Sequence, residues 1–252
     1  MSMRNEEEIL VILHGGLGNQ MFQQFMGELL GNQMNAQVFL VSGVLHRYSA
    51  SHVFELDPLL GGKLHHRNGA LAGVARLRIP KFLAKAGFGE RALHLGRTTI
   101  LDGYFQSTTS YQAFPERDRV ALLEEWAERL NLSVDPVLDG AVEHIRLRDF
   151  FKTREAAEAH ARMRVQMAGP GRFMTDDDSL LIPLLAEARR ADDLVQTDGW
   201  SAWDALRYMS RFSSVRTNGS TLALWAALLR RRELHSSLAE QMAFFRAMAP
   251  SR

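Results

Sequence analysis

Cysteine is absent from the 252 residues. That excludes disulfide frameworks, zinc–thiolate sites and thiol nucleophiles. Net charge is nearly absent too: 30 basic residues face 29 acidic ones, a formal +1. Nothing in that balance calls for nucleic acid as a partner, so any role for arginine must come from placement. No stretch reaches the roughly 18 apolar residues of a membrane span. The start, "MSMRNEEEIL", is acidic and lacks an apolar core, so it does not read as a secretory signal. The expected location is the cytoplasm or the inner face of its membrane. What remains is a hydrophobic content of 46% with 23% charged residues, ordinary for a globular chain.

The order of elements is that of an α/β protein. "EILVIL" (8–13) reads as a buried strand, broken by Gly15, Gly16 and Gly18. Met21, Phe22, Phe25, Met26, Leu29 and Leu30 then recur at helical spacing, with Gln20, Gln23, Gln24 and Glu28 between them. Gly31 and Asn32 are stop signals, and "AQVFLVS" is a second strand. Residues 43–96 predict loops and short helices, including "ALAGVARLR". "TTILDGYFQS" predicts a strand, and "PERDRVALLEEWAERLNL" a helix with Pro115 in its first turn.

The second half predicts strands at "GAVEHIRLRD", "GPGRFMTDD", "DLVQTD" and "FSSVRTN". Helices are predicted at "EAAEAHARMRVQM", "DSLLIPLLAEARR", "SAWDALRYMSR" and "GSTLALWAALLRR", with Pro183 near a start or at a kink. The tail from Arg230 has an apolar face at helical spacing, suited to packing on the body or to peripheral membrane contact. The division falls within "NLSVDPVLD", giving halves 1–135 and 136–252. Two Rossmann-type halves with a cleft between them would bind a ligand at the carboxyl ends of the strands.

Three of those ends carry chemistry. In "HGGLGNQ", Gly16, Gly18 and Asn19 offer backbone N–H groups at a helix start, which suits a phosphate. It fits neither a dinucleotide fingerprint, since Met21 holds the third glycine's place, nor a phosphate loop with Gly-Lys-Ser/Thr. In "HIRLRD", strand alternation sets His144, Arg146 and Arg148 on one face, ahead of Asp149. An arginine there can grip a pyrophosphate with two N–H groups and stays charged at any working pH. In "TNGSTLALW", Asn218, Ser220 and Thr221 open a helix after a strand, as phosphate ligands or as plain caps. "TDDDS" (175–179) reads as an acidic strand end and not as a metal motif.

Taken in order, "GGLGNQMFQ", "DGYFQS", "HIRLRD", "TDD", "WDALRYMS" and "NGSTLALWAA" resemble the α-1,2-fucosyltransferases of glycosyltransferase family 11. "HRYSASHVFELDP" is in character, and the likeness runs from about residue 11 to about residue 230. The resemblance implies a GT-B-like fold, with the acceptor on the N-terminal half and the GDP-sugar on the C-terminal half. It implies inverting transfer of L-fucose from GDP-fucose to a galactoside hydroxyl of a glycan or oligosaccharide, with no metal or other cofactor. It makes Arg146 the diphosphate ligand, with His144, Arg148 and Asp149 around it. It also puts Asn19 near donor phosphate or acceptor, and makes Asp176 and Asp177 structural or near the nucleoside. Leu147 departs from the family's second arginine, and Gly219 takes its asparagine's place unless Asn218 substitutes. Catalytic work falls to Arg146, Asp149 and Asn19. Asp102, His14, Asp149 and Glu155 all stand open as the general base. The alternatives are a transferase for another nucleotide sugar and a member that binds without catalysis.

Overall fold

The computed structural model describes residues 7–42, 53–60, 64–67, 91–148 and 150–248. The chain forms two compact units, Met1–Leu130 and Asn131–Arg252. The division precedes the expected one because residues 131–135 are tied to the second unit. Asn131 turns the chain in the left-handed region (φ 51°). Asp135 pairs with Arg207 at 3.1 Å and accepts from Arg230 Nη2 through its carbonyl at 3.0 Å.

In the first unit, β1 (Glu8–Ile12) is central and runs parallel to β2 (Gln37–Val41) and β5 (Thr98–Asp102). Two strands complete the order β3-β2-β1-β5-β4. Of these, β3 (Leu64–Arg67) is parallel to β2, and β4 (Arg91–Leu95) is an antiparallel edge on β5. Both lie in the region expected to hold only loops and helices. "ALAGVARLR" lies outside the described residues.

Helix α1 (Leu17–Met34) covers one face of this sheet. A Cβ on Gly27 would sit 2.6 Å from Val11 Cγ2 and 3.2 Å from Val38 Cγ1, so glycine sets the helix–strand distance. The expected stop at Gly31 is overrun, and Asn35 caps the helix in the left-handed conformation. Leu10, Ile12, Phe39, Val41 and Ile100 form a cluster on the other face. A short helix, α2 (Thr108–Gln112), leads to α3 (Glu116–Arg129), with Pro115 at its N-cap. α3 packs on α1 through Phe25 and Trp126, edge to face at 5.2 Å.

The second unit is fully parallel, in the order β7-β6-β8-β9. Its strands are β6 (Leu138–Ile145), β7 (Arg172–Thr175), β8 (Phe212–Thr217) and β9 (Glu233–Ser236). The expected four strands are present with one change of member. "DLVQTD" makes a single bridge, Phe173 to Leu194, after a 3-10 turn at Ala191–Asp193. The fourth strand is instead β9, on the opposite edge beside β8, from the tail expected to be helical throughout.

Five helices accompany this sheet: α4 (Arg154–Met167), α5 (Asp178–Glu187), α6 (Ala202–Ser210), α7 (Thr221–Leu229) and α8 (Ala239–Met248). Pro183 lies inside α5. Ser201 and Asp204 form a capping box on α6. On α8, Phe244 and Met248 are buried against the body. Ile145 and Leu147 join α4 and α5 residues in one core cluster. No described helix is long and apolar enough to cross a membrane.

Candidate functional site

The four strands of the second sheet end level with one another. Ile145 pairs with Thr175, His144 with Thr217, and Thr217 with Ser236. β6 stops at Ile145, so Arg146 and Arg148 lie beyond the strand, where alternation no longer governs them. Side chains take over the pairing there. The Arg146 N–H donates to Asn218 Oδ1 at 2.9 Å, and Asn218 Nδ2 donates to the Arg146 carbonyl at 2.8 Å. One buried asparagine thus continues the β6–β8 ladder by a further rung. On the other side, Asp176 Oδ1 accepts from the N–H of Leu147 at 2.7 Å and of Arg148 at 3.4 Å. The Arg146 segment is held from both flanks.

This arrangement changes several readings. Both polar atoms of Asn218 bond to the Arg146 backbone, so Asn218 fixes the arginine's position. Leu147 is buried in the α4–α5 core, so it is a packing residue. Asp176 anchors the loop, the structural one of the two roles expected for it. Asp177 precedes α5, and its carboxylate accepts from Ser179 Oγ at 2.7 Å. Thr217 Oγ1 accepts from the N–H groups of Gly219 (3.2 Å) and Ser220 (2.9 Å). Ser220 then caps α7 by accepting from Ala223 N–H at 3.3 Å. The N–H groups of Thr221 and Leu222, at the first two positions of α7, point the way an anion needs. Arg146 is half-buried and Arg148 exposed. Asp149 lies outside the described residues.

His144 is half-buried, and its Nδ1 has no hydrogen-bond partner among the described residues. Burial, and then the Arg146 charge, push its pKa down to about 4. It is therefore neutral at pH 7 and adds no positive charge beside Arg146. Asp178 is raised above the usual carboxylate range by burial and by Asp198, against a lowering from Arg148.

The first unit has its own polar strand end. Gly15 turns with φ 72° at the exit of β1, and Gly16 is the N-cap of α1 without a side-chain cap. Asn19 does not leave this turn bare: its Nδ2 lies 2.5 Å from where a Cβ on Gly15 would be. Its Oδ1 accepts from Gln106 Nε2 at 2.9 Å. Gly18 is buried within α1. Beside this turn, His14 Nε2 and Asp102 Oδ1 are 2.6 Å apart. His14 follows β1, and Asp102 ends β5 in register with Ile12.

The glutamines spaced along α1 as if for solvent are fully buried. Gln20 donates to the carbonyls of Gly15 (2.9 Å) and Val53 (2.8 Å). Gln23 Oε1 accepts from the His14 N–H at 2.9 Å, while its Nε2 donates to the Gly103 carbonyl at 3.0 Å. Gln24 donates to Glu28 at 2.8 Å, and Glu28 also receives Trp126 Nε1 at 2.8 Å and pairs with Arg129 at 3.0 Å. Sequence reading missed this network because polar residues between apolar ones look like a solvent face. Three amides in a five-residue window, Gln20 to Gln24, after a strand-end turn were the available signal. Glu155, another base candidate, is exposed in the first turn of α4 and is lowered by its own backbone N–H, then by Thr153.

Among the described residues, no group of three or more His, Asp or Glu is placed to hold a metal ion. No family model matches the chain, and no curated protein matches it. Solved structures do. A NodZ alpha-1,6-fucosyltransferase soaked with GDP-fucose is similar over 94% of this chain and 97% of its own, at 13% identity and a TM-score of 0.50. A NodZ alpha-1,6-fucosyltransferase co-crystallised with GDP is similar over 89% of this chain and 93% of its own, at 12% identity and a TM-score of 0.46. At such identity the likeness speaks to the fold. The class is α/β and GT-B-like, with two Rossmann-type halves built on parallel sheets.

Proposed function

We propose that the chain transfers L-fucose from GDP-fucose to a hydroxyl of a galactoside glycan, with inversion and without need of a metal. The observation that carries the reading is the double hydrogen bond from Asn218 to the Arg146 backbone. It holds the Arg146 backbone against the residue two positions before Ser220, the N-cap of α7, where an arginine's charge and helix N–H dipoles would suit a diphosphate. The fold it shares with a fucosyltransferase soaked with GDP-fucose supports the same donor. So do the sequence blocks that surround Arg146, Asp177, Ser220 and Thr221. The second unit is assigned the GDP moiety, and the first unit, with Asn19, the acceptor.

In this reading the acceptor oxygen forms a bond to the anomeric carbon as the bond from that carbon to the phosphate oxygen breaks. The electron pair leaves with GDP. Negative charge grows on the departing phosphate, and a preset arginine meets it without reorganisation. Arg146 supplies the counter-charge that a divalent cation would otherwise bring. Attack from the face opposite the leaving group inverts the anomeric centre. Neutral His144 adds a hydrogen-bonding group without competing for the anion.

The linkage rests on family blocks that resemble α-1,2 enzymes, whereas the structurally similar proteins form α-1,6 links. One experiment addresses both points. The purified protein is incubated with GDP-fucose and galactosides that differ in which hydroxyls are free, with and without EDTA. Mass spectrometry should find one added deoxyhexose, insensitive to EDTA, and linkage analysis should place it on the 2-hydroxyl. Fucose on the 6-hydroxyl would replace the linkage, and absence of transfer to every acceptor would refute the activity.

A further inference from the structure

We propose that Gln241, in the tail helix α8, is a positioning residue of the donor site: it holds the Gly219 carbonyl and so fixes the turn between β8 and α7. This rests on the transfer reading above.

The turn is 218–220. Asn218 binds the Arg146 backbone, and Ser220 caps α7. Gly219 lies between them with no side chain to hold it, and its φ of 123° is one that L side chains rarely adopt. Its N–H donates to Thr217 Oγ1 at 3.2 Å, and its carbonyl accepts from Gln241 Nε2 at 2.8 Å. The peptide groups on both sides of Gly219 are thereby set. A rotation of either would carry Asn218 or Ser220 with it.

The Gln241 amide is itself oriented. A carbonyl can only accept, so Gly219 takes the nitrogen end and leaves Oε1 to Ser236, whose hydroxyl donates to it at 2.8 Å. Ser236 ends β9 in register with Thr217, and its Oγ accepts from the Leu238 N–H at 3.1 Å. The Ser237 N–H donates to the Thr217 carbonyl, also at 3.1 Å. One hydrogen-bonded line therefore crosses three strand ends, from Ser236 through Gln241, Gly219 and Asn218 to Arg146. The tail also closes on the turn sterically. A Cβ on Gly219 would sit 2.8 Å from Leu238 Cδ1 and 3.2 Å from Phe150 Cε2.

The tail does not need this bond to stay docked. All four residues of β9 pair with β8, and Phe244 and Met248 anchor α8 at 1% exposure each. Gln241 is half-buried, so water could satisfy its amide if there were no turn to hold. Its two bonds instead tie the end of β9 to the residue beside Asn218.

The test uses Gln241→Ala and Gln241→Met in the full chain, with GDP affinity from titration calorimetry beside thermal melts. Both variants should weaken GDP binding by about three- to tenfold, the worth of one neutral hydrogen bond. Methionine keeps the length and bulk of the side chain and loses the amide. A packing role would be rescued by it, whereas a positioning role is not. Melting temperatures should stay near that of wild type, because Phe244 and Met248 keep α8 in place. A folded Gln241→Met protein that binds GDP within about twofold of wild type overturns the assignment alone. Should both variants unfold, Ser236→Ala replaces them: it removes the hydroxyl that orients the amide, should weaken GDP binding in the same direction, and overturns the assignment if affinity is unchanged. A wild-type protein that binds no GDP overturns the transfer reading, and this inference falls with it.

Discussion

Asn218→Ala removes the residue that positions Arg146 while leaving the arginine in the chain. Asn218 is 1% exposed and makes two hydrogen bonds, at 2.9 and 2.8 Å. Leaving a buried backbone group unpaired costs about 1–3 kcal/mol. Arg146 is half-buried, so water can meet part of that need. The lower end of the range applies to each bond, and the unit should lose about 2–3 kcal/mol. Loss of the extra rung also frees the guanidinium to wander. GDP affinity should fall by tenfold or more, about 1.4 kcal/mol. Asn218→Asp should be no better: it keeps an oxygen for the Arg146 N–H but sets a second one against the Arg146 carbonyl. Urea denaturation reads the first effect and titration calorimetry with GDP the second. Stability within about 0.5 kcal/mol of wild type, the ordinary range for an inert surface change, together with unchanged GDP affinity, would refute the reasoning.

Leu147→Ala should cost about 2–5 kcal/mol in urea denaturation, since it empties part of the α4–α5 core. Leu147→Arg, which places a charge in that core, should unfold the second unit rather than raise activity. His144 is neutral in the fold and has a depressed pKa of about 4. Its contribution is therefore full above pH 6.5 and lost as pH falls toward 4, by at most about 3 kcal/mol. His144→Gln should flatten that part of the stability–pH curve. Glu28 has the opposite sign: burial raises its pKa, against lowering by Arg129, Gln24 and Trp126. Its ionisation therefore removes stability as pH rises from 4.5. Glu28→Gln should gain on wild type between pH 5 and pH 7, and a constant difference would contradict the burial.

Much of the alternation was legible because buried parallel strands announce themselves as short apolar runs. β1 (EILVI) and β2 (QVFLV) read that way. β9 did not: "ELHS" alternates too briefly to stand out from a helical tail. "DLVQTD" looked like a strand because its pattern is right, but it makes only the isolated bridge of Leu194 to Phe173. Arg146 and the start of α7 were proposed from residue type, strand-end position and the resemblance. Their linkage through Asn218, and the His14–Asp102 pair 88 residues apart in the chain, depend on register between strands. No local pattern encodes that register. Leu147 misled for a related reason: as a motif position it looked like a lost ligand, while its burial makes it core.

The central claim is that Arg146 is the chief counter-charge for a nucleotide diphosphate. Titration calorimetry of GDP into wild type and Arg146→Ala, with thermal melts of both proteins, tests it most directly. The account predicts equal melting temperatures, measurable GDP binding by wild type, and a loss of at least tenfold in affinity in the variant, about 1.4 kcal/mol. A folded Arg146→Ala protein that binds GDP as tightly as wild type would contradict it.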